Sequence, residues 1–172
     1  MAFRVLKLGG SLLTDPQVVE HLTLWLGRQP PSHDVMIVGG GSLVNELREM
    51  DQRFGLGEEV SHQLALQLMS VTARLMATLL NWPLVRSLAE CTQFPCILEV
   101  TEFTAESKLP HTWSVSSDSI AARLAIELDA ELVLLKSTVD FDRDDLVDEH
   151  FPQLQPALRS FRLANLRDGW DL

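Results

Sequence analysis

Short runs of consecutive apolar residues alternate along this chain with longer segments in which apolar residues recur every three or four positions. The first pattern is typical of strands buried on both faces, and the second of helices with one apolar face. The apolar runs predict strands at residues 4–8, 34–38, 83–86, 96–100, 131–136 and 161–166. The periodic segments predict helices at residues 14–26, 42–50, 58–80, 116–128 and 152–158. This alternation predicts an α/β fold, a three-layer αβα sandwich with a mostly parallel central sheet.

Polar residues mark where two of these helices should begin. Thr14 is followed by Asp15, Pro16 and Gln17, which combines a capping residue, a proline in the first turn and a glutamine three positions after the threonine. That combination predicts a helix start at Thr14. Ser116 precedes a later periodic segment in the same way.

The longest predicted helix, residues 58–80, carries apolar residues around much of its circumference. One stripe comprises Val60, Leu64, Leu68, Val71, Leu75 and Leu79. Four further apolar residues lie off that stripe, namely Leu66, Met69, Met76 and Leu80. Such a helix is either fully buried in its own domain or packed against a second copy at a two-fold interface, and the sequence leaves both open. Gln67 and Arg74 interrupt the apolar run, so we expect an amphipathic helix and not a membrane span.

Glycines cluster at the ends of two predicted strands. Gly9 and Gly10 follow the first strand and precede Ser11, while Gly39, Gly40 and Gly41 follow the second and precede Ser42. Glycine turns leave backbone N–H groups uncovered, and a helix N-terminus adds positive potential. The two turns are either tight connections only or the two sides of one phosphate-binding groove, and their pairing favours the groove. Neither the P-loop nor the dinucleotide fingerprint is present.

Two of the three lysines stand at the ends of predicted strands. Lys7 ends the first strand and Lys136 the fifth, whereas Lys108 lies between elements. An ammonium group there costs desolvation energy unless an anion meets it. Each lysine alone is explained by a partner acid or by a side chain that reaches solvent. Both together, at the same edge of a parallel sheet, favour a transferring phosphoryl group.

Asp118 lies in the first turn of the helix that follows Ser116. The helix dipole favours a carboxylate there whatever the function. The same carboxylate is also suited to holding the two lysines or a metal ion, and the sequence alone does not separate these roles.

Composition and residue spacing exclude several function classes. The chain has 172 residues, with 14 Lys and Arg against 24 Asp and Glu, a net charge of −10. So acidic a chain lacks the basic surface typical of nucleic-acid or membrane binders, so we expect small molecules or protein chains as partners. Neither the two cysteines, Cys91 and Cys96, nor the five histidines show metal-ligand spacing, so we expect reduced thiols, histidines at the surface or on helix faces, and no protein metal site. We further expect one domain, no targeting segment and a soluble, cytoplasmic protein.

Four segments in order resemble the amino-acid kinase superfamily, whose members include aspartate, acetylglutamate and uridylate kinases. They are residues 5–11, 36–41, 114–122 and 132–140. The segment around Asp118 is most similar to the small branch that contains the aminomethylfuran phosphate kinase of methanofuran synthesis. The tail, residues 147–148 and 165–169, is similar to that branch as well.

The resemblance implies a role for each matched residue. Lys7 and Lys136 would stabilise the transferring phosphoryl group, and Asp118 would organise these two lysines. Backbone N–H groups of the glycine turns would bind phosphate or acceptor, together with Ser11. Ser137, Thr138 and Asp140 would stand near the nucleotide, which the family uses as ATP with Mg²⁺.

The sequence therefore predicts an ATP-dependent kinase for a small acceptor that bears a phosphate or carboxylate, such as an aminomethylfuran phosphate. We expect an acceptor side over residues 1–115 and a nucleotide side over residues 116–172. The family's Asp-Gly pair is missing after Val139 and Asp140, so we expect a shortened nucleotide half. A non-catalytic nucleotide- or oxyanion-binding module, or an oligomeric module on the same fold, stays open as the alternative. Trp113 is a candidate for the wall of the substrate pocket.

Overall fold

The computed structural model describes residues 1–138 and 146–167, and the backbone of residues 170–171. Its strands are β1 (Phe3–Leu8), β2 (His33–Val38), β3 (Leu84–Val85), β4 (Cys96–Leu98), β5 (Glu131–Lys136), β6 (Ser160–Asn165) and β7 (Trp170–Asp171). Its α-helices are α1 (Val18–Leu26), α2 (Ser42–Phe54), α3 (Glu58–Leu80), α4 (Val100–Glu106), α5 (Ser117–Glu127) and α6 (Phe151–Leu154).

All seven strands form one sheet in the order β3-β4-β2-β1-β5-β6-β7. Every neighbouring pair is parallel except β6 and β7, which run antiparallel. Lys7 of β1 lies opposite Ile37 of β2 and Leu134 of β5, so these three central strands end at the same edge. The predicted α/β fold with a mostly parallel sheet is confirmed.

Helices cover both faces of this sheet, as predicted. On one face, Val5 and Leu134 pack with Ala121 and Leu124 of α5. On the other face, Leu6 packs in a second cluster together with side chains of α1. Because strand residues alternate between the faces, the apolar residues of β1, β2 and β5 supply both clusters.

α3 has the predicted bounds, and it is not fully buried within its own domain. The apolar stripe is largely exposed, with Val60 46%, Val71 58%, Leu75 48% and Leu79 52% accessible. The residues off that stripe form the buried side, namely Leu66, Met69 and Met76, together with Ala73 and Ala77. Ala73 and Ala77 are small enough for a close approach of α3 to the core, and Leu66, Met69 and Met76 supply the larger buried side chains of this face.

Several predicted boundaries were wrong at the ends of elements. Thr14 does not cap α1; residues Gly10–Thr14 form a 3₁₀-helix, and the Thr14 hydroxyl donates to the Ser11 carbonyl. The fourth strand ends at Leu98 and not at residue 100, because α4 begins at Val100 and was not predicted. The predicted helix at 152–158 divides into α6 and a 3₁₀-turn, Gln155–Ala157.

Cys91 and Cys96 are free thiols, as expected from their spacing. The Cys96 thiol points toward Cys91, with 3.6 Å between the two sulfur atoms. Burial raises the pKa of both thiols, most strongly that of Cys96. Raised pKa values keep both groups protonated and poorly nucleophilic at neutral pH.

Candidate functional site: a lysine–aspartate cluster beside two glycine turns

The two glycine turns, Gly9–Gly10 and Gly39–Gly41, lie against each other at the carboxyl edge of the sheet. The Gly9 N–H donates to the Leu135 carbonyl of β5 over 2.8 Å. A Cβ atom on Gly10 would overlap the backbone N and Cα of Gly41. Gly41 itself has a φ of 59°, in the left-handed region that favours glycine. Contact between the turns therefore requires glycine at Gly10, and the chain direction into α2 requires it at Gly41.

Lys7 and Lys136 meet on a single carboxylate. Lys7 Nζ lies 2.9 Å from Asp118 Oδ1. Lys136 Nζ donates to both oxygens of Asp118, over 2.9 Å to Oδ1 and 2.8 Å to Oδ2. Lys7 and Asp118 are each 5% exposed. We call these three residues the lysine–aspartate cluster.

Strand periodicity explains why both ammonium groups reach this carboxylate. Lys7 is two residues after Val5, and Lys136 two residues after Leu134, so each lysine shares a face with its apolar neighbour. Val5 and Leu134 both pack on the α5 side of the sheet. Asp118 lies in the first turn of α5, so the lysines point toward it.

Opposing effects set the protonation states of the cluster. Burial by itself would raise the pKa of Asp118, but the ammonium groups of Lys7 and Lys136 hold it below its usual range. Burial and the charge of Lys7 lower the pKa of Lys136 to about 8, although Asp118 opposes this shift. Asp118 is therefore ionised at neutral pH and unsuited to accept a proton.

Asp148 fixes the start of α5. Its Oδ2 accepts hydrogen bonds from the Ser116 N–H, the Ser116 hydroxyl and the Ser119 N–H, over 2.9, 2.7 and 3.0 Å. Ser116 in turn caps the helix by accepting from the Asp118 N–H. The sequence analysis missed this positioning residue, because Asp148 is one of several acids in its segment and its partners are about thirty residues away.

A cavity of about 500 Å³ opens beside the glycine turns. Both glycine turns, α2, α3 and Trp113 contribute to its walls, and Trp113 was the residue expected there. The Trp113 Nε1–H donates to Asp51 over 2.7 Å, and the Arg48 guanidinium stacks 4.9 Å above the indole ring. The indole is therefore held rigidly as a flat wall.

The predicted serine, threonine and aspartate residues near the nucleotide do not all lie at the glycine turns. The Ser11 and Ser137 hydroxyls lie 2.8 Å apart, so the first glycine turn touches the end of β5. Thr138 is exposed at the surface, and Asp140 lies outside the described residues. The described residues contain no group of three or more His, Cys, Asp or Glu side chains able to hold a metal ion. Because both Asp118 oxygens contact lysines, Asp118 does not fit a metal ligand here.

His62 lies on a face of α3, which agrees with one of the two positions expected for the histidines, but it is buried, at 4% exposed, and borders the cavity. The signal that could have found it is helical spacing. His62, Leu66, Met69, Ala73 and Met76 follow at intervals of four, three, four and three, which is one face of α3.

Contact between the glycine turns leads to a prediction for stability. Gly10→Ala should lower the free energy of unfolding by about 1–3 kcal/mol, because the added methyl group meets backbone that has no rotamer to change. Gly27→Ala is the matched control, since its nearest atoms would be 3.5 and 3.6 Å away. Urea unfolding of both variants tests this. Equal midpoints for the two alanine variants would show that the turns are not packed as described.

Residues 2–159 match the amino acid kinase family. The chain belongs to that family. An aminomethylfuran phosphate kinase from Methanocaldococcus jannaschii is 24% identical over 143 residues, which cover 79% of this chain and 66% of that protein. The chain thus spans slightly less than two thirds of this relative's length.

Two solved kinase structures have the same fold as this chain. The UMP kinase of Bacillus anthracis superposes with a TM-score of 0.64 at 12% identity, covering 96% of this chain and 87% of the kinase. The uridylate kinase of Archaeoglobus fulgidus superposes with a TM-score of 0.56 at 17% identity, covering 80% and 64%. This amino acid kinase family member therefore shares their architecture.

Proposed function

We propose that the protein is an ATP-dependent kinase that phosphorylates a small acceptor bearing a phosphate or a carboxylate. The observation that carries the proposal is the lysine–aspartate cluster, in which two ammonium groups share one buried carboxylate. Membership of the amino acid kinase family supports it.

The charges of the cluster suit phosphoryl transfer. Two ammonium groups and one carboxylate leave one net positive charge in a buried place, which is costly until an anion arrives. The transferring phosphoryl group supplies this negative charge. Lys7 and Lys136 stabilise the negative charge as it moves between the attacking and leaving oxygens. Asp118 holds both lysines in position. No protein nucleophile is required, because positioning and charge neutralisation supply most of the catalysis.

Acceptor and nucleotide would approach the cluster from different parts of the chain. We assign the acceptor to residues 1–115, whose glycine turns line the cavity, and the nucleotide to residues 116–172. The N–H groups of Gly9 and Gly39 donate to the Leu135 and Leu8 carbonyls, so the N–H groups of Gly10, Gly40 and Gly41 would bind the anion. Ser137, Thr138 and Asp140 would stand near the nucleotide. Mg²⁺ would arrive bound to the phosphates of ATP, because this ion usually keeps several waters and takes only one or two ligands from the protein.

An aminomethylfuran phosphate is the first acceptor to test, because the relative from M. jannaschii is named as its kinase. The assay measures ADP release with Mg-ATP and a panel of phosphorylated and carboxylated acceptors. We expect acceptor-dependent ADP formation. Tight ATP binding by calorimetry without ADP formation for any acceptor would favour the non-catalytic module.

The lowered pKa of Lys136 predicts an alkaline limit to activity. Lys136 must be protonated to stabilise phosphate, and burial together with Lys7 lowers its pKa to about 8. We therefore expect kcat/KM for ATP to fall as pH rises through about 8, since kcat/KM reports the free enzyme. Lys136→Arg stays charged at these pH values. The kcat/KM of this variant should be lower than that of the wild type but should not fall as the pH rises through about 8. A wild-type profile that is flat to pH 9.5 would contradict this role of Lys136.

We also propose that the protein is a cytoplasmic homodimer. The exposed apolar stripe of α3, from Val60 to Leu79, is the support for a second copy as its partner. By length and composition, α3 is the one helix in the described part that could cross a membrane, a test that core helices of soluble proteins also pass.

The net charge of −10 makes nucleic acid an unfavourable partner. Light scattering in solution should give twice the chain mass; a monomeric mass would exclude the dimer.

A further inference from the structure

One carboxylate at the start of α5, that of Asp148, accepts five hydrogen bonds. Its Oδ2 accepts from the N–H and the hydroxyl of Ser116 and from the Ser119 N–H, over 2.9, 2.7 and 3.0 Å. Its Oδ1 accepts from the Ser119 hydroxyl and from the Phe151 N–H. A carboxylate offers roughly four lone-pair sites, so these donors saturate Asp148. The carboxylate is therefore suited to hold backbone and not to bind a substrate.

These hydrogen bonds do more than cap a helix. Ser116 already caps α5 by accepting from the Asp118 N–H, but over 3.4 Å, which is long for a bond of this kind. The shorter bonds to Asp148 hold Ser116 and Ser119 by both backbone and side chain. Asp118 lies between these two serines in the first turn of α5. The placement of the turn that carries Asp118 therefore depends on Asp148.

The position of this turn is transmitted to the lysine–aspartate cluster through Asp118. An aspartate side chain is short, so its carboxylate follows any displacement of the backbone. Asp118 Oδ1 lies 2.9 Å from Lys7 Nζ, and Lys136 Nζ donates to both Asp118 oxygens. A misplacement of about 1 Å in a catalytic group can cost roughly 100-fold in rate. A shift of the first turn of α5 would therefore disturb both ammonium groups.

We propose that Asp148 is a positioning residue for phosphoryl transfer. By holding Ser116 and Ser119 it fixes the first turn of α5, and through that turn it fixes the lysine–aspartate cluster. In the described part of the chain, Asp148 makes no hydrogen bond to either lysine of the cluster, so it acts on them through Asp118. This inference rests on the proposed function for the nature of the reaction. It adds that turnover depends on a carboxylate outside the cluster.

The first test is the turnover of Asp148→Asn, with the acceptor that supports ADP release. Asparagine is similar in size, but its amide nitrogen donates and so repels the donors that face one oxygen of Asp148. We expect the kcat of the folded fraction to fall roughly 10- to 100-fold, and KM for the acceptor to change less than about threefold. Ser119→Ala removes one bond to Asp148 without changing the charge, so kcat should fall less. The double variant should lose less than the product of the two single effects, since both changes break the same link.

The titration of Lys136 follows the cluster without any substrate. The chain has only three lysines, so isotope-labelled lysine gives few NMR signals, and Lys136→Arg identifies the signal of Lys136. Burial and Lys7 lower the pKa of Lys136 to about 8, while Asp118 raises it. An Asp118 carboxylate that is no longer held should raise this pKa less. The titration midpoint should therefore lie below that of wild type in Asp148→Asn, and Ser119→Ala should shift it in the same direction by a smaller amount, although no charge is lost.

Asp34→Asn is the matched control, because it removes a buried carboxylate partner at the opposite end of the sheet. It should change neither the kcat of the folded fraction, which circular dichroism measures, nor the titration of Lys136. A less stable Asp148→Asn that keeps the wild-type kcat and titration would assign Asp148 a structural role only and overturn the inference. With an active wild type, a change in only one of these two readouts would overturn it as well.

Failure of this inference is distinguishable from failure of the proposed function. If both variants shift the titration of Lys136 but wild type releases no ADP with any acceptor, the kinase proposal fails, while the hold of Asp148 on the cluster is confirmed. If wild type forms ADP and Asp148→Asn alters neither readout, the kinase proposal stands and the positioning role fails.

Discussion

Replacement of Lys7 by alanine should lower kcat by a factor of roughly 100 to 1,000, the usual cost of losing one preorganised contact to transition-state charge. Lys7 lies at the end of β1, is 5% exposed and contacts Asp118 over 2.9 Å. Its ammonium group is therefore fixed before substrate arrives. Steady-state kinetics with the acceptor that supports ADP release provides the measurement.

Two further variants test whether the loss of turnover is specific to the ammonium group of Lys7. Lys108→Ala removes the remaining lysine, which is exposed after α4, and should leave kcat within about twofold. Lys7→Arg keeps the charge but replaces a compact ammonium with a planar guanidinium, so activity should recover only in part. Near-normal turnover of Lys7→Ala would exclude Lys7 from catalysis.

Asp118→Asn should reduce both stability and turnover, because the buried ammonium group of Lys7 and the half-buried one of Lys136 lose their shared counter-charge. Breaking a buried ion pair from one side costs about 3–5 kcal/mol of unfolding free energy. We expect a loss of this size at pH 7, measured by urea unfolding. The kcat of the folded fraction should fall at least as far as that of Lys7→Ala, since both lysines lose their fixed position.

β1, the strand that contains Lys7, also supplies a control for the stability effect. Arg4 of β1 forms a buried bidentate pair with Asp34 of β2, over 2.8 Å at both contacts, at the opposite end of the sheet. Asp34→Asn should destabilise the protein by a similar amount and leave kcat of the folded fraction unchanged. An Asp118→Asn enzyme that loses stability but keeps full turnover would assign Asp118 a structural role only.

Much of the sheet and the chemistry at its edge could be predicted from the sequence. β1, β2 and β5 each contain a short, mostly apolar run that is followed by glycine or a lysine, so their positions and common edge follow from local pattern. The two lysines were predicted to share that edge. Both lysines contact one carboxylate because α5 packs on the sheet face to which they point. The alternation within each strand identifies that face only when the strand order of the sheet is known.

The orientation of α3 and the role of its neighbours could not be predicted in the same way. The exposed stripe of α3 consists of Val and Leu residues, while its buried side mixes Leu66, Met69 and Met76 with alanines, so residue size does not identify the buried face. The burial of His62 follows from that orientation and was missed for the same reason. Asp148 reaches Ser116 and Ser119 across about thirty residues of sequence, a contact that only the folded chain reveals.

The most direct test is a crystal structure with a non-hydrolysable ATP analogue and an acceptor. Charge-assisted hydrogen bonds to phosphate are typically about 2.7–2.9 Å long. We expect the Nζ atoms of Lys7 and Lys136 at that distance from oxygens of the γ-phosphoryl group, with Asp118 still bound to both lysines. A γ-phosphoryl group bound away from these two ammonium groups, with the cluster unchanged, would contradict the account.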